Sequence, residues 1–352
     1  MDTDIKWIRE AVKKPDMESA AAALAHQAQL TKPPGALGRL EDLAVHFASM
    51  QGVVNPKLEK IQICVFAGDH GVTEENISAF PQAVTAQMVE NFVHGGAAIS
   101  VLAEQLQAHL SVVDVGVNAP ASQSEKVLDK RVVNGTANFA RQAALTQEEL
   151  ARALNVGCEI AEQAAGNKVE LFIGGEMGIG NTTSATALAA AQLEINVEKL
   201  TGPGTGLDAA GVSHKCFVIE QALYLHRDNT ITPLERLEYF AGAEIAALVA
   251  AYIRCAQKGV PVLVDGFIAT VAALYAQALN HEVIDWFIYA HHSEEPGHTF
   301  ILEALKARPL LNLNMRLGEG SGAAVAVSLI KIALALHNNM ATFAQAGVAE
   351  KT

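Results

Sequence analysis

The sequence predicts an α/β protein built on a doubly wound parallel sheet. Short apolar runs recur along the chain, a glycine-containing turn follows most of them, and a helical pattern follows most turns. Near-continuous apolar strands that alternate with helices are typical of a parallel sheet covered on both faces. Because ligands of such sheets bind at the carboxyl ends of the strands, the glycine turns mark the expected site.

Six apolar runs are predicted as strands. They cover residues 61–66, 110–115, 169–173, 260–264, 286–290 and 311–317. Helical patterns at 5–12, 19–30 and 37–50 precede the first strand, and Lys-Pro-Pro-Gly at 32–35 separates the last two because proline cannot continue a helix. Neither chain end contains a predicted strand, so both ends are expected to pack as additional helices.

The composition argues against nucleic acid and membranes as partners. The 352 residues include 25 Lys and Arg against 38 Asp and Glu, which gives a net charge of −13, and no run rich in Lys or Arg occurs. Such a chain lacks the electrostatic footprint of a protein that binds nucleic acid or anionic lipid. The apolar stretches at 241–253 and 323–336 are shorter than the roughly 20 residues that span a bilayer, so they are predicted as buried core helices.

A cytoplasmic location is expected from the start of the chain and from its cysteines. Residues 1–7 lack the basic-then-apolar pattern of a signal peptide. Cys64, Cys158, Cys216 and Cys255 are scattered without a Cys-x-x-Cys pair. This spacing favours free thiols in a reducing compartment over disulfides or a zinc site.

The clearest candidate site is the turn Gly-Gly-Glu-Met-Gly-Ile-Gly-Asn-Thr-Thr at residues 174–183. Glycines let the backbone approach a ligand closely, and the N–H groups at a helix start point outward without internal partners. With Asn181, Thr182 and Thr183 as further donors, the turn is predicted to bind a phosphate. It lacks the Gly-Lys-Ser/Thr of a nucleotide-triphosphatase loop. A strand-to-helix turn with ordinary capping is the alternative.

Two other glycine turns carry groups suited to a reaction. Thr-Gly-Pro-Gly-Thr-Gly-Leu-Asp at 201–208 is rich in donors, and Lys215 behind it is a candidate cation for a phosphate or carboxylate. Leu-Gly-Glu-Gly-Ser-Gly at 317–322 holds Glu319 at a predicted strand end. A partly desolvated carboxylate there suits a general base. A solvated loop with a surface lysine, and a plain turn with an exposed glutamate, are the alternatives.

A histidine-rich loop supplies the main rival hypothesis. The loop His-His-Ser-Glu-Glu-Pro-Gly-His at 291–298, together with Asp69 and His70, contains residue types that bind zinc or manganese in a metal-dependent hydrolase. The helical His-x-x-x-His spacing and a cysteine partner are both missing, which favours polar residues lining a cleft. A non-catalytic nucleotide sensor is a further alternative, and Glu319 argues against it because binding alone needs no base.

Residues 78–88 offer groups for a flat ligand. Phe80 is a candidate for stacking on a ring, and Gln87 is a candidate for hydrogen bonding to the edge of that ring. Ordinary packing also explains an aromatic residue and a methionine in this segment.

Together these motifs resemble the nicotinate-nucleotide–dimethylbenzimidazole phosphoribosyltransferase family, of the lower-ligand branch of cobalamin synthesis. Any one motif is weak, whereas seven in family order are specific. The matching segments are TKPPGALGRLE at 31–41, FAGDHGV at 66–72, SAFPQ at 78–82, GGEMGIGNTT at 174–183, GPGTGLD at 202–208, EPGH at 295–298 and LGEGSG at 317–322.

The resemblance implies a Rossmann-like sheet, a reaction and an assembly. The 5-phosphoribosyl group of nicotinate mononucleotide would pass to 5,6-dimethylbenzimidazole, giving α-ribazole 5′-phosphate and nicotinate without a metal or a cofactor. The implied assembly is a homodimer. Each subunit would have a large sheet domain, expected at 51–335, and a small helical domain from both chain ends, expected at 1–50 and 336–352. In the family, the neighbouring subunit's small domain helps to close the active site.

The resemblance also implies the roles of individual residues. Glu319 corresponds to the catalytic base, which accepts a proton from one benzimidazole nitrogen while the other attacks C1′ of the ribose. Glu176 is expected to orient the substrates, and His291, His292 and His298 receive no role. The implied phosphate site comprises Gly178, Ile179, Gly180, Asn181, Thr182, Thr183 and Lys215, and the implied base pocket comprises Phe80, Gln87, Met177 and Leu317.

Overall fold

A six-stranded parallel sheet forms the centre of the protein, whose computed structural model describes residues 5–349. The strands are β1 (Ile61–Gly68), β2 (His109–Gly116), β3 (Val127–Asp129), β4 (Leu171–Met177), β5 (Val262–Val264) and β6 (Phe287–Tyr289). Their order across the sheet is β3-β2-β1-β4-β5-β6, and each neighbouring pair is parallel. This order confirms the predicted Rossmann-like, doubly wound sheet. It reverses between β1 and β4, where a ligand crevice is expected.

Helices make up most of the remaining structure. They are α1 (Met17–Gln29), α2 (Arg39–Gln51), α3 (Val84–Val93), α4 (Ala98–Leu106), α5 (Gln147–Gly166), α6 (Asn181–Leu193), α7 (Val197–Leu200), α8 (Ala209–His226), α9 (Pro233–Phe240), α10 (Ala243–Lys258), α11 (Phe267–Leu279), α12 (Gly297–Ala304), α13 (Ser321–Asn339) and α14 (Phe343–Ala346). Capping boxes start α5 and α9, where Thr146 and Thr232 each accept an N–H from three residues onward. α10 is almost wholly buried because α5, α11 and the sheet pack against it, which confirms the core helix predicted at 241–253.

The strands β1, β2, β4, β5 and β6 confirm five of the six predicted strands. The prediction for residues 311–317 is wrong, because this segment forms no strand and pairs with the chain after β6 through an isolated bridge between His291 and Leu311 and a hydrogen bond from Glu294 N–H to the Met315 carbonyl oxygen. The alternation of leucine and asparagine in this segment resembles the sequence pattern of a strand. Asn314, however, has φ +56°, a left-handed conformation that interrupts strand geometry. β3 is missed because three residues at the edge of the sheet carry too short a pattern.

β4 runs further than predicted and ends at Met177 rather than at residue 173. Gly174 and Gly175 are therefore strand residues. A Cβ atom would lie 2.2 Å from Leu248 Cδ1 at Gly174, and 2.2 Å from the Glu319 carbonyl oxygen at Gly175. Only glycine permits this approach. The turn that holds Glu319 does not follow a strand of its own, and its backbone packs against Gly175 of β4.

α1, near the start of the described residues, contacts α13, near their end. His26 Nε2 is 2.9 Å from the carbonyl oxygen of His337. Phe47 of α2 nevertheless belongs to the same connected hydrophobic core as the sheet. The division into a small helical domain and a large sheet domain stays a prediction, and residues 1–4 and 350–352 of the expected small domain lie outside the described part of the chain.

α13 is the one helix in the described part of the chain that is long and apolar enough to cross a membrane. Over half of its apolar stretch, 56%, is buried inside the protein, and α2 and α4 pack against it. These are features of a core helix, which is the structure predicted for residues 323–336.

Candidate active site

A cavity of about 640 Å³ opens at the carboxyl ends of β4 and β5. Its walls come from α3, the turn after β4, the loop before α8, the start of α11, the loop after β6 and the segment before α13. This is the edge of the sheet at which ligands of doubly wound folds bind. The volume is sufficient for a small organic ligand.

The turn after β4 presents a helix start to this cavity. Gly178, Ile179, Asn181 and Thr182 line the wall, and Gly180 has φ +99°, which glycine adopts without strain. α6 receives no side-chain cap at Gly180. The hydrogen bonds among residues 5–349 also leave Gly180 N–H and Thr182 N–H without a protein acceptor. An uncapped helix start with a positive partial charge suits an anion.

Lys215 supplies a buried cation behind the same turn. Its side chain is 1% exposed, and Nζ donates to Thr182 Oγ1 at 2.8 Å. Burial lowers the pKa of Lys215 to about 8, and the Glu295 carboxylate opposes that change. The ammonium group therefore carries its charge at neutral pH and loses it in mild alkali. Neither Lys215 nor the buried Thr183 lines the cavity itself.

Glu319 lines the same cavity from the turn before α13. Its side chain is buried, and Oε2 accepts a long hydrogen bond of 3.4 Å from Ile99 N–H. Burial raises the pKa of Glu319, and the nearby Asp265 carboxylate raises it further. The residue has φ +65°, a conformation that is uncommon outside glycine and that often marks functional sites. A carboxylate with a raised pKa is a better proton acceptor than an exposed one.

Asp265 fixes the position of Glu319 by capping α13 from the end of β5. Its Oδ2 accepts from Gly320 N–H at 3.2 Å, and its Oδ1 accepts from Ala323 N–H at 2.7 Å. His291 Nε2 lies 3.6 Å from Asp265 Oδ1, and both side chains are buried. The backbone N–H groups at the start of α13 thus have acceptors within the protein, whereas N–H groups at the start of α6 are open to a ligand.

Glu176 lies between the two helix starts and lines the cavity. Its Oε2 accepts a hydrogen bond from Asn181 Nδ2. Burial raises the pKa of Glu176 well above the usual range, and the charges of Glu244, Asp265 and Glu319 raise it further. Both effects favour the neutral form of the carboxyl group over the carboxylate. In the neutral form it donates a hydrogen bond but does not act as a base.

The remaining wall of the cavity is apolar. Phe80, Met177 and Leu317, all predicted for the base pocket, line it together with Met88. Phe80 and Leu317 are 52% and 58% exposed, so their surfaces are open to a ligand. Gln87 is exposed on α3 and lies outside the lining. Because neighbouring helix residues differ by about 100° in direction, the wall position belongs to Met88 and not to Gln87.

The histidine-rich loop contains a buried, neutral histidine. His298 Nδ1 accepts from Ser293 N–H at 2.8 Å, and Nε2 faces Thr270 Oγ1 at 2.9 Å. Burial lowers the pKa of His298 to about 3, so the ring carries its proton on Nε2 and donates it to Thr270. Its bonds hold the loop that lines the cavity through His291 and Ser293.

The metal-dependent hydrolase hypothesis is not supported by this geometry. Asp69 and His70 do not line the cavity. His70 Nε2 instead lies 2.7 Å from Glu244 Oε1, in a pair that is fully buried. Across residues 5–349, no group of three or more His, Cys, Asp or Glu side chains is arranged to hold a metal ion.

Sequence reasoning misses several lining residues. Arg316 brings a second cation to the cavity, and its Nη1 donates to the carbonyl oxygen of Gly204 at 3.3 Å. Gly266 and Phe267 add the start of α11, which also lacks a side-chain cap. An acidic residue directly after a buried strand is a usable signal for Asp265, whereas no local pattern distinguishes Arg316.

The fold and the site together define an α/β enzyme that acts on a phosphorylated small molecule. The sheet supplies an open helix start with a buried lysine, and a buried carboxylate faces the same cavity. A family model described as phosphoribosyltransferase matches residues 12–348. The chain belongs to this phosphoribosyltransferase family.

The similarity to known members extends over nearly the whole chain. This chain is 56% identical over 345 residues to the nicotinate-nucleotide–dimethylbenzimidazole phosphoribosyltransferase of Pseudomonas putida strain W619, and the match covers 98% of both chains. The enzyme of the same name from Xanthomonas campestris pv. campestris strain B100 is 54% identical over 346 residues, with 98% of this chain and 99% of that one covered. The crystal structure of CobT from Thermus thermophilus matches with a TM-score of 0.90 at 42% identity, covering 95% of this chain and all of that one. These matches confirm the resemblance found in the sequence motifs.

Proposed function

We propose that this chain transfers the 5-phosphoribosyl group of nicotinate mononucleotide to 5,6-dimethylbenzimidazole, giving α-ribazole 5′-phosphate and nicotinate in nucleotide-loop assembly of cobalamin. Relatives at 54–56% identity carry this donor and acceptor in their names. One geometric observation carries the proposal. The buried Glu319 carboxylate and the uncapped start of α6 open into a single cavity.

The 5′-phosphate binds at the start of α6. The free N–H groups of Gly180 and Thr182 and the side chain of Asn181 donate to its oxygens, and the Lys215 ammonium offsets its charge. Arg316 adds a cation at the wall of the cavity. A phosphate held in this way fixes the ribose, so that C1′ faces the centre of the cavity instead of rotating freely.

The benzimidazole ring binds against Phe80, Met177 and Leu317, whose apolar surfaces fit a flat aromatic molecule. One ring nitrogen attacks C1′ from the face opposite nicotinate, and the β configuration becomes α. The new N–C1′ bond forms as the bond from C1′ to nicotinate breaks, and the electron pair of the broken bond stays on the pyridine nitrogen. The other benzimidazole nitrogen gives its proton to Glu319.

Glu176 orients the substrates in its neutral form. Because Asn181 already donates to Oε2, the proton of the neutral carboxyl group is free to be donated from Oε1 to a substrate oxygen. Glu176 and Glu319 therefore have distinct roles. Glu176 donates a hydrogen bond as a carboxylic acid, and Glu319 accepts a proton as a carboxylate.

We also propose that the chain forms a homodimer in the cytoplasm. Phe217, Tyr224 and Leu225 are 58%, 67% and 50% exposed on α8. Their spacing of seven and eight residues puts them on one face of the helix, as expected for an interface. The four cysteines are free and buried, which suits a reducing compartment. Sedimentation equilibrium should give twice the mass of the 37.2 kDa chain, and a monomer mass would refute the dimer.

The reaction is tested by incubating the purified protein with nicotinate mononucleotide and a panel of bases, followed by mass spectrometry. Nicotinate and a base-linked nucleotide should appear in equal amounts, and only when a base is present. Release of nicotinate together with ribose 5-phosphate, independent of base, would instead indicate a hydrolase.

A further inference from the structure

The phosphate-binding turn, Gly178–Gly180, is tied to a buried threonine that the proposed reaction does not use. Thr85 lies in the first turn of α3, and its side chain is fully buried. Its Oγ1 accepts a hydrogen bond from Ile179 N–H at 3.1 Å. Ile179 is the middle residue of the turn, so this bond fixes the peptide plane between two glycines that have little conformational restraint of their own.

An acidic residue, Asp69, lies near the Thr85 hydroxyl. A hydroxyl that accepts a hydrogen bond still has its own proton to donate, and the Asp69 carboxyl group lies beside it. Burial raises the pKa of Asp69, and the Thr85 hydroxyl lowers it. Asp69 Oδ2 accepts from Asn118 N–H at 2.8 Å, whereas Oδ1 is buried and has no hydrogen-bond partner among residues 5–349. Asp69 follows β1, and β1 lies beside β4 in the sheet, so the ends of these two neighbouring strands meet at the turn.

His70, the residue after Asp69, packs beneath the same turn. A Cβ atom at Gly178 would lie 3.2 Å from His70 Nε2, and one at Gly180 would lie 3.2 Å from His70 Cβ. The imidazole ring is held by Glu244 at 2.7 Å and is 1% exposed. His70 thus supports the turn through direct contact, and Asp69 lies near the threonine that binds the turn. Neither reaches the cavity.

We propose that Thr85 is a positioning residue for phosphate recognition. By binding Ile179 N–H it keeps the neighbouring N–H groups of Gly180 and Thr182 directed at one phosphate. This inference rests on the phosphate site assigned above, and it extends that site to residues without ligand contact. It predicts that Thr85 governs affinity for the phosphate-bearing substrate and not for the base, which binds against a different wall.

The test compares Thr85→Val with Thr85→Ser. Valine keeps the shape of the side chain but accepts no hydrogen bond, whereas serine keeps the acceptor. In Thr85→Val, the KM for nicotinate mononucleotide and the Kd for inorganic phosphate by calorimetry should each rise about tenfold, the effect of one lost hydrogen bond. The KM for 5,6-dimethylbenzimidazole should be unchanged, and Thr85→Ser should restore phosphate binding to within about twofold of wild type.

Thr201→Val is the matched control, because Thr201 is also buried and, among residues 5–349, its hydroxyl bonds to the Val197 carbonyl oxygen alone. An unchanged phosphate Kd in Thr85→Val, or equal losses in Thr201→Val, would overturn the positioning role. Should Thr85→Val not fold, Thr85→Cys decides, since its thiol keeps the packing but is a weak acceptor. Failure of wild-type protein to bind phosphate or nicotinate mononucleotide would instead contradict the phosphate site itself.

Discussion

Replacing Glu319 with glutamine removes the proposed base and changes little else. The amide oxygen can still accept from Ile99 N–H, which lies 3.4 Å from Oε2, and Asp265 still caps α13. Loss of a general base lowers a rate by about 10²–10⁴-fold, which corresponds to about 3–5 kcal/mol in activation free energy. kcat should fall by this factor. The KM for nicotinate mononucleotide should stay within about twofold, because the phosphate site is untouched.

Glu176→Gln is the matched comparison for Glu319→Gln. Both side chains are 6% exposed and line one cavity, but the strongly raised pKa of Glu176 favours its neutral carboxyl group. Glutamine is also neutral and also donates, so kcat should fall by no more than about tenfold.

The assay is the initial rate of nicotinate release at saturating concentrations of both substrates, followed by chromatography. Circular dichroism of each variant verifies that the fold is retained. If Glu319→Gln keeps kcat within about threefold of wild type, or if both variants lose the same activity, the assignment of the base is wrong.

Three further predictions concern Lys215, Asp265 and Gly175. Because burial lowers the pKa of Lys215 to about 8, its charge is present below that pH and lost above it. The KM for nicotinate mononucleotide should therefore rise by up to about tenfold per pH unit above pH 8, and a flat KM in a pH series would contradict this. Asp265→Asn replaces one of the two carboxylate oxygens that accept backbone N–H groups with an NH2 donor. It should lower the free energy of unfolding in urea by about 1–3 kcal/mol and reduce kcat more than it changes KM, and normal values of both would refute the capping role. Gly175→Ala forces a Cβ atom to within 2.2 Å of the Glu319 carbonyl oxygen. It should lower both Tm and kcat, while Gly166→Ala, which meets nothing within 4 Å, should preserve both.

Much of the fold could be predicted because fully buried strands are apolar at nearly every position of the sequence. β1 is buried at every residue and β4 at nearly every residue, so both appear as continuous apolar runs. The failures arise where burial is incomplete. β3 is three partly exposed residues at an edge. The segment at 311–317 has the alternation of a strand, but one left-handed residue, Asn314, keeps it out of the sheet.

The candidate site also combines residues that the sequence identifies with residues that only the folded chain brings together. Glu176, Thr182 and Glu319 lie in glycine-rich segments at or just before helix starts, so local chemistry identifies them. Asp265 caps a helix 58 residues later in the chain, and only the folded structure brings them together. Gln87 and Met88 differ by one residue on α3, and the direction of the helix decides which of them faces the cavity.

The central claim is that one cavity holds the 5′-phosphate at the start of α6 and lets a base attack C1′ from the face opposite nicotinate. Proton NMR of the nucleotide made from nicotinate mononucleotide and 5,6-dimethylbenzimidazole tests this claim most directly, since it reports the configuration at C1′. A single α-linked product, formed in equal amount with nicotinate, is the predicted result. A β-linked nucleotide, or ribose 5-phosphate without a linked base, would contradict the account.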